Sequence, residues 1–342
     1  MTLIENIQAC VNLEVPQDLP VFALSQEFDA HYADLHYEEY IRDSETIVET
    51  QLLVRERFGW DWFWLHVDDT LEFEPLGVGV QAGQDIVPAV CGFLPFDRGT
   101  LSGLKVPDAT RDARLPMLLE AIHGLRSAAG DNACVTGRIG APFSAVTLIF
   151  GMAETYMMMM DDPQLVRDAM KFTEELALSV GLAQIEAGAH ALWLGDCNAS
   201  THLMSPRQFE EWALEPCLRV TRAFKEAGAF VFLHNSEENL EGLKAQALTE
   251  PSVLSIGPGM DMAKAKPELP NVAIMGNVDP IGLLQLGSAS QVAAETDRLV
   301  RLAASGGMIL NSGECIPREA KGPNLHTMYN TAKKVWNIAH SR

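Results

Sequence analysis

Eight short apolar runs, most of them separated by stretches of helical periodicity, constrain this chain more than any other feature. They are Leu19–Ser25, Trp62–Val67, Ala133–Ile139, Ala191–Cys197, Phe230–Ser236, Val253–Ile256, Val272–Gly276 and Met308–Ser312. Such runs read as buried strands, and the helical stretches between them are the crossovers that parallel strands need. Eight strands joined in this way predict an α/β fold, a (β/α)8 TIM barrel with an N-terminal helical extension. A doubly wound open sheet is the alternative, and no Gly-rich dinucleotide fingerprint supports it.

Helix boundaries fit the same plan. Ser205-Pro206-Arg207-Gln208 opens a helix with Ser as N-cap and Pro in the first turn, and Gly228 stops that pattern before the next strand. Ser290-Gln291 starts another that ends near Gly306-Gly307, and Asp162-Pro163 opens or interrupts a long one that ends near Gly188. From about residue 71 to residue 114 the rhythm breaks into Gly, Pro and Val, which predicts a small inserted hairpin. With no repeat or flexible linker, residues 1–342 read as one domain.

Composition narrows the function classes. A formal net charge of −21 repels phosphate backbones and anionic lipid, so nucleic acid and membrane surfaces are not expected partners. No apolar stretch approaches the roughly 18 residues of a membrane span, and Met1–Asn6 lacks the basic and apolar segments of a signal peptide. A cytoplasmic protein is expected. Its six cysteines contain no CxxC pair, which argues against a disulfide framework. Cys10, Cys91, Cys134 and Cys217 read as small core residues. Met157–Met160 reads as a pliable packing patch, with contact to a bulky apolar cofactor as the other reading.

The candidate chemistry sits at strand ends, where a parallel barrel builds its site. Side chains alternate along a strand, so Phe230, Phe232, His234 and Ser236 share a face, assigned to the interior. His234 then points into the barrel mouth as an acid/base group or metal ligand; a core histidine bonded to a carbonyl is the bland alternative. Asp196 follows the fourth strand as a second acid/base candidate or a loop cap. The eighth strand runs into Asn311-Ser312-Gly313-Glu314-Cys315, where Glu314 is a catalytic candidate and Ser312 a ligand contact. Imidazole and thiolate donors suit zinc, which nominates His234, Cys315 and Cys197 as metal ligands. Asn277 and Asp279 end the seventh strand as cofactor contacts, although Asp279-Pro280 equally suits a helix cap. Gly140 lies in a close-approach loop able to cover a flat ligand.

The segments Gly195–Ser200, Leu203–Trp212, Phe232-Leu233-His234, Met275–Pro280, Gly306–Pro317 and Gly322–Leu325 together resemble the uroporphyrinogen decarboxylase superfamily, most of all its cobalamin-dependent methyltransferase branch. The resemblance spans about Asp18 to Ala339. It implies a methyl transfer between a methylated corrinoid, carried by a partner protein, and a small acceptor such as a thiol or folate. It also implies zinc held by a His-x-Cys pair and a distant Cys. His234 matches that His and Cys315 the distant Cys, but Ser236 stands where the paired Cys belongs. The porphyrin decarboxylases have an Arg-rich element to grip carboxylates, and the corresponding Pro20–Asp29 contains no arginine. Decarboxylation of a small acid, with Asp196 and His234 as acid and base, is the alternative. A non-catalytic binding protein of the same fold is the third.

Overall fold

The structure is a computed structural model and describes residues 1–340. Its frame is a curled parallel sheet in the order β1 (Trp62–Trp64), β4 (Cys134–Gly140), β5 (Ala191–Gly195), β6 (Phe230–His234), β7 (Val253–Ser255), β8 (Ala273–Val278) and β9 (Met308–Ser312). Between β1 and β4 the chain forms an antiparallel hairpin of β2 (Gly79–Gly83) and β3 (Ile86–Gly92). The seven parallel strands fall on seven of the eight apolar runs.

The eighth run, Leu19–Ser25, lies between β9 and β1 without becoming a regular strand. Phe22 donates its N–H to the Leu310 carbonyl (2.8 Å), Leu310 donates to Pro20 (3.1 Å), and on the other edge Asp61 donates to Val21 (3.0 Å). Pro20 has no N–H to offer. Val21 gives its own to the Asp61 carboxylate at 2.8 Å, and Leu24 gives its own to Ser312 Oγ at 3.0 Å. Side-chain oxygens thus replace ladder carbonyls, leaving one bridge, Val21 to Leu310. The sheet closes into a TIM-type barrel with one irregular member.

Aromatic rings fill the interior. Phe22 stacks on Trp62 with centroids 4.3 Å apart and tilts against Phe232 at 6.1 Å. Trp193 meets Trp62 and Trp64 edge-on at 5.9 and 5.6 Å. All five rings are buried. Side chains of this size occupy the lower barrel, which leaves the strands' C-terminal ends as the place for a site inside it.

Helix ends follow local chemistry. Ser205 and Gln208 form a reciprocal capping box ahead of the helix Pro206–Trp212; a break at Ala213 leads into Leu214–Glu226, and Gly228 takes φ +93° before β6. Asp162 caps the helix Pro163–Glu186 through the Leu165 N–H at 3.1 Å. The helix expected at Ser290 starts one residue earlier, at Ala289, with Ser288 as its N-cap, because Ser288 and Gln291 satisfy each other's backbone N–H groups. Of the N-terminal helices only Leu3–Val11 precedes the first run; Gln26–Tyr32, Tyr37–Tyr40 and Ser44–Phe58 lie between the first and second barrel positions.

Two expectations need correction. Cys91 is exposed, because it lies on the two-stranded hairpin outside the main sheet. The four-methionine run splits by helix geometry, with Met159 buried and Met157 and Met160 exposed; at 100° per residue one run cannot face one way. Among the described residues no single helix is long and apolar enough to cross a membrane.

Asp29 carries a pH prediction. It is buried on the helix Gln26–Tyr32, and burial pushes its pKa up from 3.8 to about 7, opposed by a hydrogen bond from Ser25. The folded chain therefore holds this proton more tightly than the unfolded chain does. As pH rises from about 4 to 7 this site loses stability at about 1.4 kcal/mol per pH unit, and above 7 the loss is complete. Asp29→Asn, which cannot ionise, is expected to gain on the parent by roughly 2–3 kcal/mol between pH 5 and pH 8. Urea denaturation at both pH values measures this; an equal difference at both pH values contradicts it.

Candidate active site

Parallel register sets Gly195, His234 and Ser255 level with one another, one step above the layer of Trp193 and Phe232. Above these rings opens a cavity of about 240 Å³. Its walls include Leu24, Trp64, Trp193 and Leu148, and its polar lining includes His66, Asp69, Arg138, Cys197, Asn198, His234, Glu314 and Cys315. The imidazole of β6 and the thiol after β9 therefore meet in one cavity, 81 residues apart in sequence.

His234 is 6% exposed and tilts against Trp193, centroids 4.8 Å apart. Nδ1 lies 3.0 Å from Ser255 Oγ, while Nε2 lies 3.3 Å from Ser236 Oγ and 3.4 Å from Glu314 Oε1. Burial disfavours the imidazolium, but Glu314 and Cys197 together outweigh it and His234 is pushed up to about 10. Burial raises Glu314 and the imidazolium pulls it down further, so its net shift is downward. The two form an ion pair without an aligned hydrogen bond to Glu314 Oε1. Cys315 is solvent-exposed within the cavity, yet the surrounding protein and the carboxylates of Glu314 and Asp69 push its thiol well above the usual range. Without a bound metal it is a neutral thiol.

The opposite wall was not read from the sequence. Arg138 on β4 is 6% exposed and pairs with both Glu72 and Asp69; Glu72 Oε1 also accepts the Gly140 N–H at 2.9 Å. His66 Nε2 lies 3.0 Å from Asp69 Oδ1, and its ring stands edge-on to Trp64. An arginine inside the apolar strand Cys134–Gly140 was a legible signal, since a buried guanidinium demands a partner. Its carboxylates lie in the irregular stretch after β1, where no periodicity marks them.

The remaining candidates stand apart from the cavity lining. Asp196 is fully buried beneath the wall; its Oδ1 accepts from Ser144 Oγ at 2.8 Å and from the Ser144 N–H at 3.2 Å. Burial pushes it up to about 7, against those bonds. Ser144 Oγ also accepts the Asn198 N–H at 3.2 Å, so Asp196 braces the loop that presents Cys197 and Asn198. Asn277 donates to the Gly257 and Met260 carbonyls at 2.9 and 2.6 Å. Asp279 caps the turn after β8 through the N–H groups of Ile281 and Gly282. Ser312 accepts from Leu24, and the Gly140 N–H is engaged by Glu72.

The zinc that the resemblance implies does not fit these donors. Cys197 Sγ lies 3.5 Å from Ser236 Oγ, which lies next to His234 Nε2, but a serine hydroxyl is a poor zinc ligand. Among the described residues no group of three His, Cys, Asp or Glu side chains could hold a metal ion. What the cavity does offer is an imidazolium–carboxylate pair and a thiol.

Comparison with known proteins bears on the family and the fold. The methylcobamide:CoM methyltransferase MtbA of Methanosarcina acetivorans is 26% identical over 267 residues, covering 78% of this chain and 77% of that protein. A uroporphyrinogen decarboxylase of Anaeromyxobacter is 25% identical over 361 aligned positions, 98% of this chain and 97% of that one. A solved methyltransferase from Methanosarcina mazei superposes with a TM-score of 0.89 at 22% identity, over 98% of this chain and 99% of that chain, which shows the shared fold. The curated relatives are enzymes of both kinds. Residues 2–335 match the family described as uroporphyrinogen decarboxylase (URO-D), and the chain belongs to that family.

Proposed function

We propose that this protein transfers a methyl group between a corrinoid carried by a partner protein and a small molecule seated in the cavity above Trp193. The observation that carries this reading is the cavity itself. At about 240 Å³ it suits a small molecule and not a tetrapyrrole. The permanent cation in its lining, Arg138, already faces two carboxylates, so a porphyrinogen's carboxylates would find no free guanidinium there.

The corrinoid, when docked over the mouth, supplies the cobalt–carbon chemistry. This chain's residues bind and orient the small partner. Trp64 and Trp193 exclude water from below, and the His234–Glu314 pair holds a proton beside the reacting atom. Similarity to MtbA over more than three quarters of both chains supports the reading.

Mixing the protein with free methylcobalamin and a panel of small thiols and methylated compounds tests the proposal. Loss of the methylcobalamin absorbance, or its gain from cob(I)alamin, is expected only with protein present. His234→Ala is expected to slow it about 100-fold or more, the usual contribution of a positioned acid/base group. Turnover of uroporphyrinogen with no response to any corrinoid would overturn the proposal in favour of decarboxylation.

A further inference from the structure

Glu237 follows Ser236 in the turn after β6 and is fully buried. Its Oε1 accepts from Thr201 Oγ at 2.5 Å, from the Glu238 N–H at 3.0 Å and from the Asn239 N–H at 2.8 Å. Its Oε2 accepts from the Thr201 N–H at 2.7 Å and from Gln246 Nε2 at 3.3 Å. A buried carboxylate is costly unless its lone pairs are met, and here neutral donors from three segments meet them. The helix beside it leaves space for it as well. Gly242 lies within the helix Leu240–Ala247, where alanine would suit the helix better. A Cβ there would stand 2.5 Å from Glu237 Cδ and 2.6 Å from Thr201 Cγ2, so only glycine leaves room.

The segments held in this way carry one corner of the cavity. Thr201 lies four residues beyond Cys197. On the other side Ser236, the residue before Glu237, takes φ +54°, a left-handed conformation uncommon for a residue with a side chain. Between the two turns Cys197 Sγ lies 3.5 Å from Ser236 Oγ, which lies 3.3 Å from His234 Nε2. Asp196 braces the near end of the Cys197 turn through Ser144. Glu237 ties the far end of that turn to the Ser236 turn.

Resting on the methyl-transfer reading, we infer that Glu237 is a positioning residue, a clamp that fixes Cys197 and Ser236 against His234 where the reacting end of the small molecule is held. Glu237→Gln tests this, because whichever oxygen is replaced, the amide NH2 meets a backbone N–H. Gly242→Ala displaces the carboxylate without removing it and favours the helix. In the methylcobalamin assay both are expected to lower kcat about 10- to 100-fold, the effect of misplacing a group by about an ångström. KM is expected to stay within about 3-fold, since the rings beneath the small molecule are unchanged. Thr201→Ser, which keeps both donors, is expected to fall closer to the parent than Thr201→Val. A second readout needs no corrinoid. Iodoacetamide labelling, located by peptide mass spectrometry, is expected to reach Cys197 at least about 3-fold faster in Glu237→Gln and Gly242→Ala, relative to exposed Cys91 on the hairpin. Circular dichroism confirms that each variant is folded. Parent-like kcat in both folded variants, parent-like labelling of Cys197 in both, or a rise in KM with kcat unchanged overturns the inference. If this occurs while the parent transfers methyl groups, the function stands and the clamp falls. Faster labelling of Cys197 with no corrinoid reaction by the parent keeps the clamp and removes the methyl-transfer reading.

Discussion

Ser236→Cys is expected to convert a chain that purifies with little zinc into one that holds about one zinc per molecule. Three of the pairwise spacings that such a site needs are already present. Ser236 Oγ lies 3.3 Å from His234 Nε2 and 3.5 Å from Cys197 Sγ, and Glu314 Oε1 lies 3.4 Å from the same nitrogen. Ligands on a tetrahedral zinc, with Zn–N near 2.0 Å and Zn–S near 2.3 Å, stand about 3.5 Å apart. The serine oxygen therefore stands at zinc-ligand spacing from both neighbours but is the wrong element. Exchanging hydroxyl for thiol supplies a ligand that the metal itself deprotonates. Elemental analysis of protein prepared without chelators gives the readout, and adding His234→Ala to the Ser236→Cys chain is expected to abolish the gain. A parent chain that already carries one zinc, or a variant that carries no more than the parent, would sink this account of the site.

Glu72→Ala is expected to be the most destabilising single change near the cavity, at about 3–5 kcal/mol. Glu72 and Arg138 are 3% and 6% exposed, and Glu72 also receives the Gly140 N–H. Removing the carboxylate leaves a buried guanidinium facing Asp69 alone and a strand-end N–H unpaired, both costly in a dry interior. Glu72→Gln keeps the shape and the amide acceptor and is expected to cost less. Urea denaturation of the three chains at one pH decides the point; a loss below about 1 kcal/mol for the alanine variant would mean that water reaches Arg138.

The two predictions concern opposite walls of one cavity, and those walls differ in how far the sequence disclosed them. His234, Glu314 and Cys315 were readable because each follows an apolar strand, and a reactive group at the end of such a run has few structural reasons to be there. Asp69, Glu72 and His66 were not. The two carboxylates sit in Asp68–Glu74 and acquire meaning only when β4 brings Arg138 beside them, and His66, in the Trp62–Val67 run, only when the following turn sets Asp69 against it. Trp64 and Trp193 looked like core and are core; that their upper surface also lines the cavity depends on which layer of the barrel each one reaches.

Strand ends show the same division. Asp279 offered two readings, and the structure uses it as a cap for the turn after β8. Asn277 and Ser312 hold loops through backbone partners that lie 17 to 288 residues away. No local pattern encodes such a partner.

By itself the sequence determined the barrel, because alternating apolar runs and capped helices have few other ways to bury their faces. It also determined that a histidine and a cysteine remote from it would stand at the same end, since parallel strands place all their C-termini together. Only the tertiary structure decided which charges meet there. Pairing of Arg138, Asp69 and Glu72 depends on how the stretch after β1 folds over the rim. A few ångströms there separate a site that welcomes anions from one whose cations are all engaged.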